Sequence, residues 1–75
     1  MTQLQLEMLE NSVGKAVAIT CADGDTLRGT VAYVDDEYRD VTCDLFSSNR
    51  PEKYKQGVCY AIKWEDIVDV RDSTA

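Results

Sequence analysis

Residues 18–34 constrain this chain most: Ala-Ile-Thr-Cys-Ala-Asp-Gly-Asp-Thr-Leu-Arg-Gly-Thr-Val-Ala-Tyr-Val. Two alternating runs flank Asp23-Gly24, a dipeptide that supplies the left-handed conformations a tight hairpin turn needs. Gly29 lies inside the second run, where it lets a strand bend hard at a point that a side chain would obstruct. This pattern predicts a bent, twisted hairpin belonging to a small barrel.

The rest of the chain extends that reading. Residues 3–9 predict a short helix, with Leu4, Met8 and Leu9 near one face. Asn11, Ser12 and Gly14 break it, and a helix this short must pack on something to persist in water. Residues 15–22 form the first strand, with Val17, Ile19 and Cys21 on one face. Residues 26–34 form the second, where Leu27, Gly29, Val31 and Tyr33 share a face. After the acidic turn Asp35-Asp36-Glu37, residues 38–46 form a third strand with Val41, Cys43 and Leu45 aligned. A polar loop over 47–57 carries Pro51, the only proline. Residues 58–63 form a fourth strand, with Cys59 or Tyr60 and Ile62 as core candidates, and 67–70 a fifth. Trp64-Glu65-Asp66 joins them tightly, and residues 72–75 read as a frayed tail.

The expected architecture is therefore mainly β. A helix over about residues 3–10 precedes a five-stranded, strongly bent antiparallel barrel over about 15–71, closed or nearly closed, in a single domain spanning 1–75. A core of this size often leans on self-association for stability.

Charge and cysteine usage narrow the function. Fourteen acidic residues against eight basic ones give a net charge of −6. That balance opposes sequence-independent binding to duplex DNA and repels anionic membranes, but it leaves room for a local basic site. Cys21, Cys43 and Cys59 are isolated, and the chain has no histidine, which argues against zinc and against histidine-assisted catalysis. No metal, no cofactor and no enzyme activity are expected. The thiols read as small apolar residues in a reducing compartment, so a cytoplasmic location is expected. Residues 1–10 carry Glu7 and Glu10 and no basic residue, unlike a secretory signal.

Taken together, Val17, Ile19, Asp23-Gly24, Leu27, Gly29, Val31 and Asp35, followed by the run from Ala61 to Val70, resemble the two signatures of the Sm/LSm family, whose bacterial branch includes the Hfq-type proteins. The resemblance covers about residues 3–71. It implies a homo-oligomeric ring of six or seven subunits in which the fourth strand of one subunit pairs with the fifth of the next. Val58, Tyr60, Ile62, Ile67, Val68 and Val70 would lie along that interface. It also implies contact with single-stranded RNA. The chain departs from the family's uridine-binding pattern at two places. Tyr38 can fill the stacking position, but Arg39 stands where the family has Asn, and Lys63-Trp64 stands where it has Arg-Gly.

Two basic groups carry the candidate chemistry. Tyr38, Arg39, Lys63 and Trp64 would stack bases and meet phosphate at an inner rim; otherwise Trp64 packs on the helix or an interface and Arg39 pairs with Asp36, Glu37 or Asp40. Arg50, Lys53, Tyr54 and Lys55 would form a second basic patch on the long loop; otherwise they are a solvated segment. The acidic turn lacks the ligand spacing of a calcium loop. The expected function is a ring that binds single-stranded RNA. The alternative is an acidic scaffold that has lost RNA binding and engages a basic protein partner.

Overall fold

The computed structural model describes residues 1–73. A helix, α1 (Gln3–Asn11), leads into five strands: β1 (Ala16–Cys21), β2 (Thr26–Asp35), β3 (Asp40–Ser48), β4 (Cys59–Lys63) and β5 (Ile67–Asp72). A single 3-10 turn, Trp64–Asp66, connects β4 to β5. All neighbouring strands run antiparallel in one sheet of order β4-β3-β2-β1-β5.

Alternation places the core. Val17, Ile19 and Cys21 from β1, Leu27 and Val31 from β2, and Val41, Cys43 and Leu45 from β3 are buried together, joined by Leu9 from α1. The sheet bends because two register shifts interrupt the β2–β3 ladder, one between Arg28 and Gly29 and one between Val31 and Tyr33. At the first, a Cβ on residue 29 would stand 2.7 Å from the Asp44 carbonyl oxygen and 2.9 Å from Leu45 Cδ2, so the close approach of β2 and β3 requires glycine. At the second, Ala32 is the extra residue and the alternation changes phase. Tyr33, expected to share a face with Val31, is 59% exposed, while Val34 packs against the core.

The helix departs from expectation in what it buries. Leu9 is fully enclosed, Met8 is partly so, and Leu4 is 77% exposed rather than part of a buried face. What fixes the helix is polar. The Thr2 hydroxyl accepts from the Gln5 backbone N–H (3.1 Å), and the Gln5 side-chain oxygen accepts from the Thr2 N–H (3.0 Å), which closes a capping box. The Gln5 side-chain amide then donates to the Val68 carbonyl (3.1 Å), tying the helix start to β5.

At the far end, β5 runs to Asp72, which pairs with Val17, and the Ser73 N–H donates to the Ala16 carbonyl (3.1 Å). Two residues of the expected tail are therefore ordered by β1; the other two lie outside the described residues. Cys59 is exposed and Tyr60 half-buried, so Ile62 alone of the three candidates on β4 belongs to the core. Because β4 and β5 end the strand order, each keeps one edge without a strand partner among the described residues.

Candidate nucleic-acid interface

β3 begins at Asp40, two residues later than its sequence suggests, which leaves Tyr38 and Arg39 in the turn. Asp35 shapes that turn: one of its carboxylate oxygens accepts from the backbone N–H groups of Glu37 (2.9 Å) and Tyr38 (3.0 Å). Arg39 closes it with φ at 55°, in the left-handed region that costs a non-glycine residue roughly 1–2 kcal/mol. The turn is bound to the β4–β5 connection by two hydrogen bonds. The Trp64 backbone N–H donates to the Arg39 carbonyl (2.9 Å), and its indole Nε1–H donates to the Asp40 carbonyl (3.1 Å). Asp40 and Lys63 face each other in the β3–β4 register.

These bonds gather Tyr38, Arg39, Lys63 and Trp64 around one open cleft of about 420 Å³, which Met1 and Glu65 also line. Tyr38 is 71% exposed, and Trp64 is half-buried against the core. Arg39 does not pair with Asp36, Glu37 or Asp40. Among the described residues, Arg39, Lys63 and Glu65 take part in no ion pair. Glu65 and Met1 were not singled out from the sequence. Glu65 follows Trp64 directly, so the tight connection that delivers Trp64 to the cleft delivers Glu65 as well.

The second basic group has a different environment. Asp25, which lies between the Asp23-Gly24 turn and the second strand, is completely buried. Its Oδ2 accepts from Lys53 Nζ at 2.8 Å, and its Oδ1 lies 3.3 Å from Arg50 Nε, an ion pair without hydrogen-bond alignment. Lys53 also reaches Asp23 (3.2 Å), and Arg50 reaches Glu52 (3.7 Å). The carboxylates of Asp25 and then Asp23 raise the Lys53 pKa; Asp23 in turn is held below its ordinary value by the Asp25 backbone N–H and by Lys53. Polar bonds from Asn49 complete the clamp: its side-chain oxygen accepts from the Thr26 N–H (2.9 Å) and its amide donates to the Gly24 carbonyl (3.2 Å). Tyr54 stacks edge-on against Tyr60 (5.3 Å between centroids), and the Tyr60 hydroxyl accepts from the Lys55 N–H (2.8 Å). Arg50 and Lys53 thus bind the long loop to the β1–β2 hairpin. The signal for Asp25 was present in the sequence, because it shares parity with Leu27, Gly29 and Val31 and so falls on the inward face of β2 extended by one step.

The six residues expected at an interface divide. Ile62, Ile67 and Val70 are buried in the subunit's own core, Tyr60 is half-buried, and Val58 and Val68 are 41% and 53% exposed. Burial raises the Cys21 thiol to about 11, helped by the charges of Asp23, Asp25 and Asp66, and raises Cys43 to about 12. Both remain protonated and unreactive at neutral pH. Among the described residues, no group of three or more His, Cys, Asp or Glu side chains is arranged to hold a metal ion.

No family model matches the chain, and no curated protein matches it. Solved structures share its fold. An SmAP (LSm) protein from Methanococcus vannielii superposes with a TM-score of 0.71 at 18% identity, over 93% of this chain and 96% of that one. The SmAP1 heptamer from P. aerophilum gives 0.68 at 17% identity, over 100% and 99%. An Sm-like archaeal protein from Pyrobaculum aerophilum gives 0.70 at 17% identity over 91% of this chain; the chain spans only half of that protein's length (50%). The five-stranded bent sheet with its leading helix is an Sm-like fold.

Proposed function

We propose that this protein assembles through the outer edges of β4 and β5 into a homo-oligomeric ring of six or seven copies and binds single-stranded RNA at the cleft of Tyr38, Arg39, Lys63 and Trp64. The P. aerophilum SmAP1 heptamer is a precedent for assembly by this fold. Physical reasoning supports the same arrangement. An uncovered strand edge is a liability unless another chain pairs with it, and two different edges joined head to tail form a ring when the rotation closes. Exposed Val58 beside β4 and Val68 on β5 add apolar area to those edges.

One observation carries the RNA reading: Arg39 and Lys63, with no carboxylate partner among the described residues, flank an exposed tyrosine in a single cleft. Aromatic stacking with nearby cations is the recipe for holding single-stranded bases and their phosphates. An arginine kept at a left-handed backbone position, where Asn or Gly would sit with less strain, further supports a use for its side chain. Each site is modest, and repetition around a ring lets one strand engage several at once.

Native mass spectrometry of the untreated protein, followed by fluorescence anisotropy with labelled oligoribonucleotides, tests this. A six- or seven-subunit species that binds RNA is expected, with Arg39→Glu weakening binding while the ring persists. A ring that binds no RNA would overturn the RNA reading in favour of a protein-binding scaffold. A monomer would overturn the assembly.

A further inference from the structure

Resting on the RNA-binding reading, we infer that the cleft selects guanine over uracil and that Glu65 makes the selection. The argument is one of donors and acceptors. Arg39 and Lys63 offer only donors, and Glu65 offers only acceptors. All three line the cleft, and none is engaged by another charged side chain among the described residues. A phosphate group would satisfy the two cations and be repelled by Glu65. The ligand that satisfies the whole lining presents adjacent acceptors, adjacent donors and a flat face for Tyr38, which is 71% exposed beside them.

Among the four RNA bases, guanine meets that description best. Its O6 and N7 are neighbouring acceptors that a guanidinium fork takes together. Its N1–H and N2–H are neighbouring donors that match the two oxygens of a carboxylate. Uracil has one ring N–H flanked by two carbonyls, so a carboxylate that accepts from it also faces a carbonyl oxygen. Adenine offers a single exocyclic amine and no second donor beside it. Arg39 is thereby assigned to the O6/N7 edge, Glu65 to the N1/N2 edge, Tyr38 to the ring face and Lys63 to the neighbouring phosphate. At a solvent-open site, a bidentate contact of this kind gives discrimination of roughly tenfold, toward the lower end of its usual range.

The test uses the intact, unmodified oligomer and anisotropy with labelled strands of repeated UUG, UUA and UUU, in which isolated guanines cannot stack into quadruplexes. A second set replaces guanine with inosine, which keeps O6, N7 and N1–H but lacks the N2 amine. Expected is about tenfold tighter binding of the UUG strand than of the UUU strand, partial loss of that preference with inosine, and its collapse in Glu65→Ala, read as the ratio of UUG to UUU affinity within that variant. Equal affinity for UUG and UUU, or a guanine preference that survives Glu65→Ala, would overturn the inference while leaving RNA binding intact. Failure to bind every strand would overturn the RNA reading itself and this inference with it.

Discussion

Arg50 and Lys53 on the long loop and Arg39 and Lys63 beside the β3 turn are the same two residue types, all solvent-accessible, on one acidic chain. Their surroundings separate them. The loop pair sits over Asp25, a completely buried carboxylate, and is spent on neutralising it. The turn pair lines a cleft with Tyr38 and Trp64, with no carboxylate paired to it among the described residues. A cation's role here is decided by what lies beneath it. A buried charge cannot be left without a partner, so the loop cations serve the fold. The turn cations have no such obligation.

This contrast can be broken in several ways. The largest expected effect is in the loop cluster. Arg50→Met combined with Lys53→Met leaves Asp25 buried without a counter-charge and should lower the denaturation midpoint more than Asp25→Ala does. Removing the carboxylate itself costs about 2 kcal/mol, the worth of a charge-assisted hydrogen bond whose cationic partners can return to water. If Asp25→Ala proves the more damaging change, the cations are not there to neutralise it.

Next in size is the exchange between the two clusters. Arg39→Glu should weaken single-stranded RNA binding by about tenfold or more, equivalent to about 1.4 kcal/mol, with the denaturation midpoint unmoved. Lys53→Met should show the reverse pattern, a lower midpoint with RNA affinity retained. Loss of affinity in both variants would mean that the long loop also touches RNA.

A smaller effect, of opposite sign, is expected from Arg39→Asn. Asn tolerates the left-handed backbone better than Arg, so stability should rise by up to about 1 kcal/mol while RNA affinity falls. A variant that gains neither stability nor loses affinity would remove both the strain and the binding role from Arg39.

The smallest effect is the pH dependence of the exposed arm of the clamp. Asp23 is depressed below its ordinary value of 3.8 in the folded chain, so its contribution is present above that pH and lost as the pH falls through the folded value. Lys53 is raised above its ordinary 10.5, so its contribution is complete below that pH and lost as the pH climbs through the folded value. Between these limits the Asp23–Lys53 contribution should be flat. Asp23→Asn should make the acid limb of a stability-against-pH curve shallower, and an unchanged limb would exclude Asp23 from the clamp's pH response.

Some of this is legible in the sequence alone. The alternation of Val17, Ile19 and Cys21 and of Val41, Cys43 and Leu45 located the core, because a strand's side chains alternate between faces whatever the tertiary context. Gly29 announced a close approach, since only that residue type admits one. The capping box is readable as Thr-x-x-Gln over Thr2 to Gln5, and Asp25 as an inward-phase residue one step before β2. Tyr33 was misplaced because a bulge at Ala32 inserts one residue into the period, and bulges depend on how two strands cross rather than on either alone.

What the sequence by itself determined is the set of short bent strands and the faces they bury, since period and turn chemistry are local properties. What only the tertiary structure decided is which charges meet. Arg50 and Lys53 are separated from Asp25 by more than twenty positions, and Glu65 from Arg39 likewise, and both relations arise from strand order and turn geometry. Electrostatic pairing depends on distance in space and on burial, and neither is encoded by neighbours along the chain.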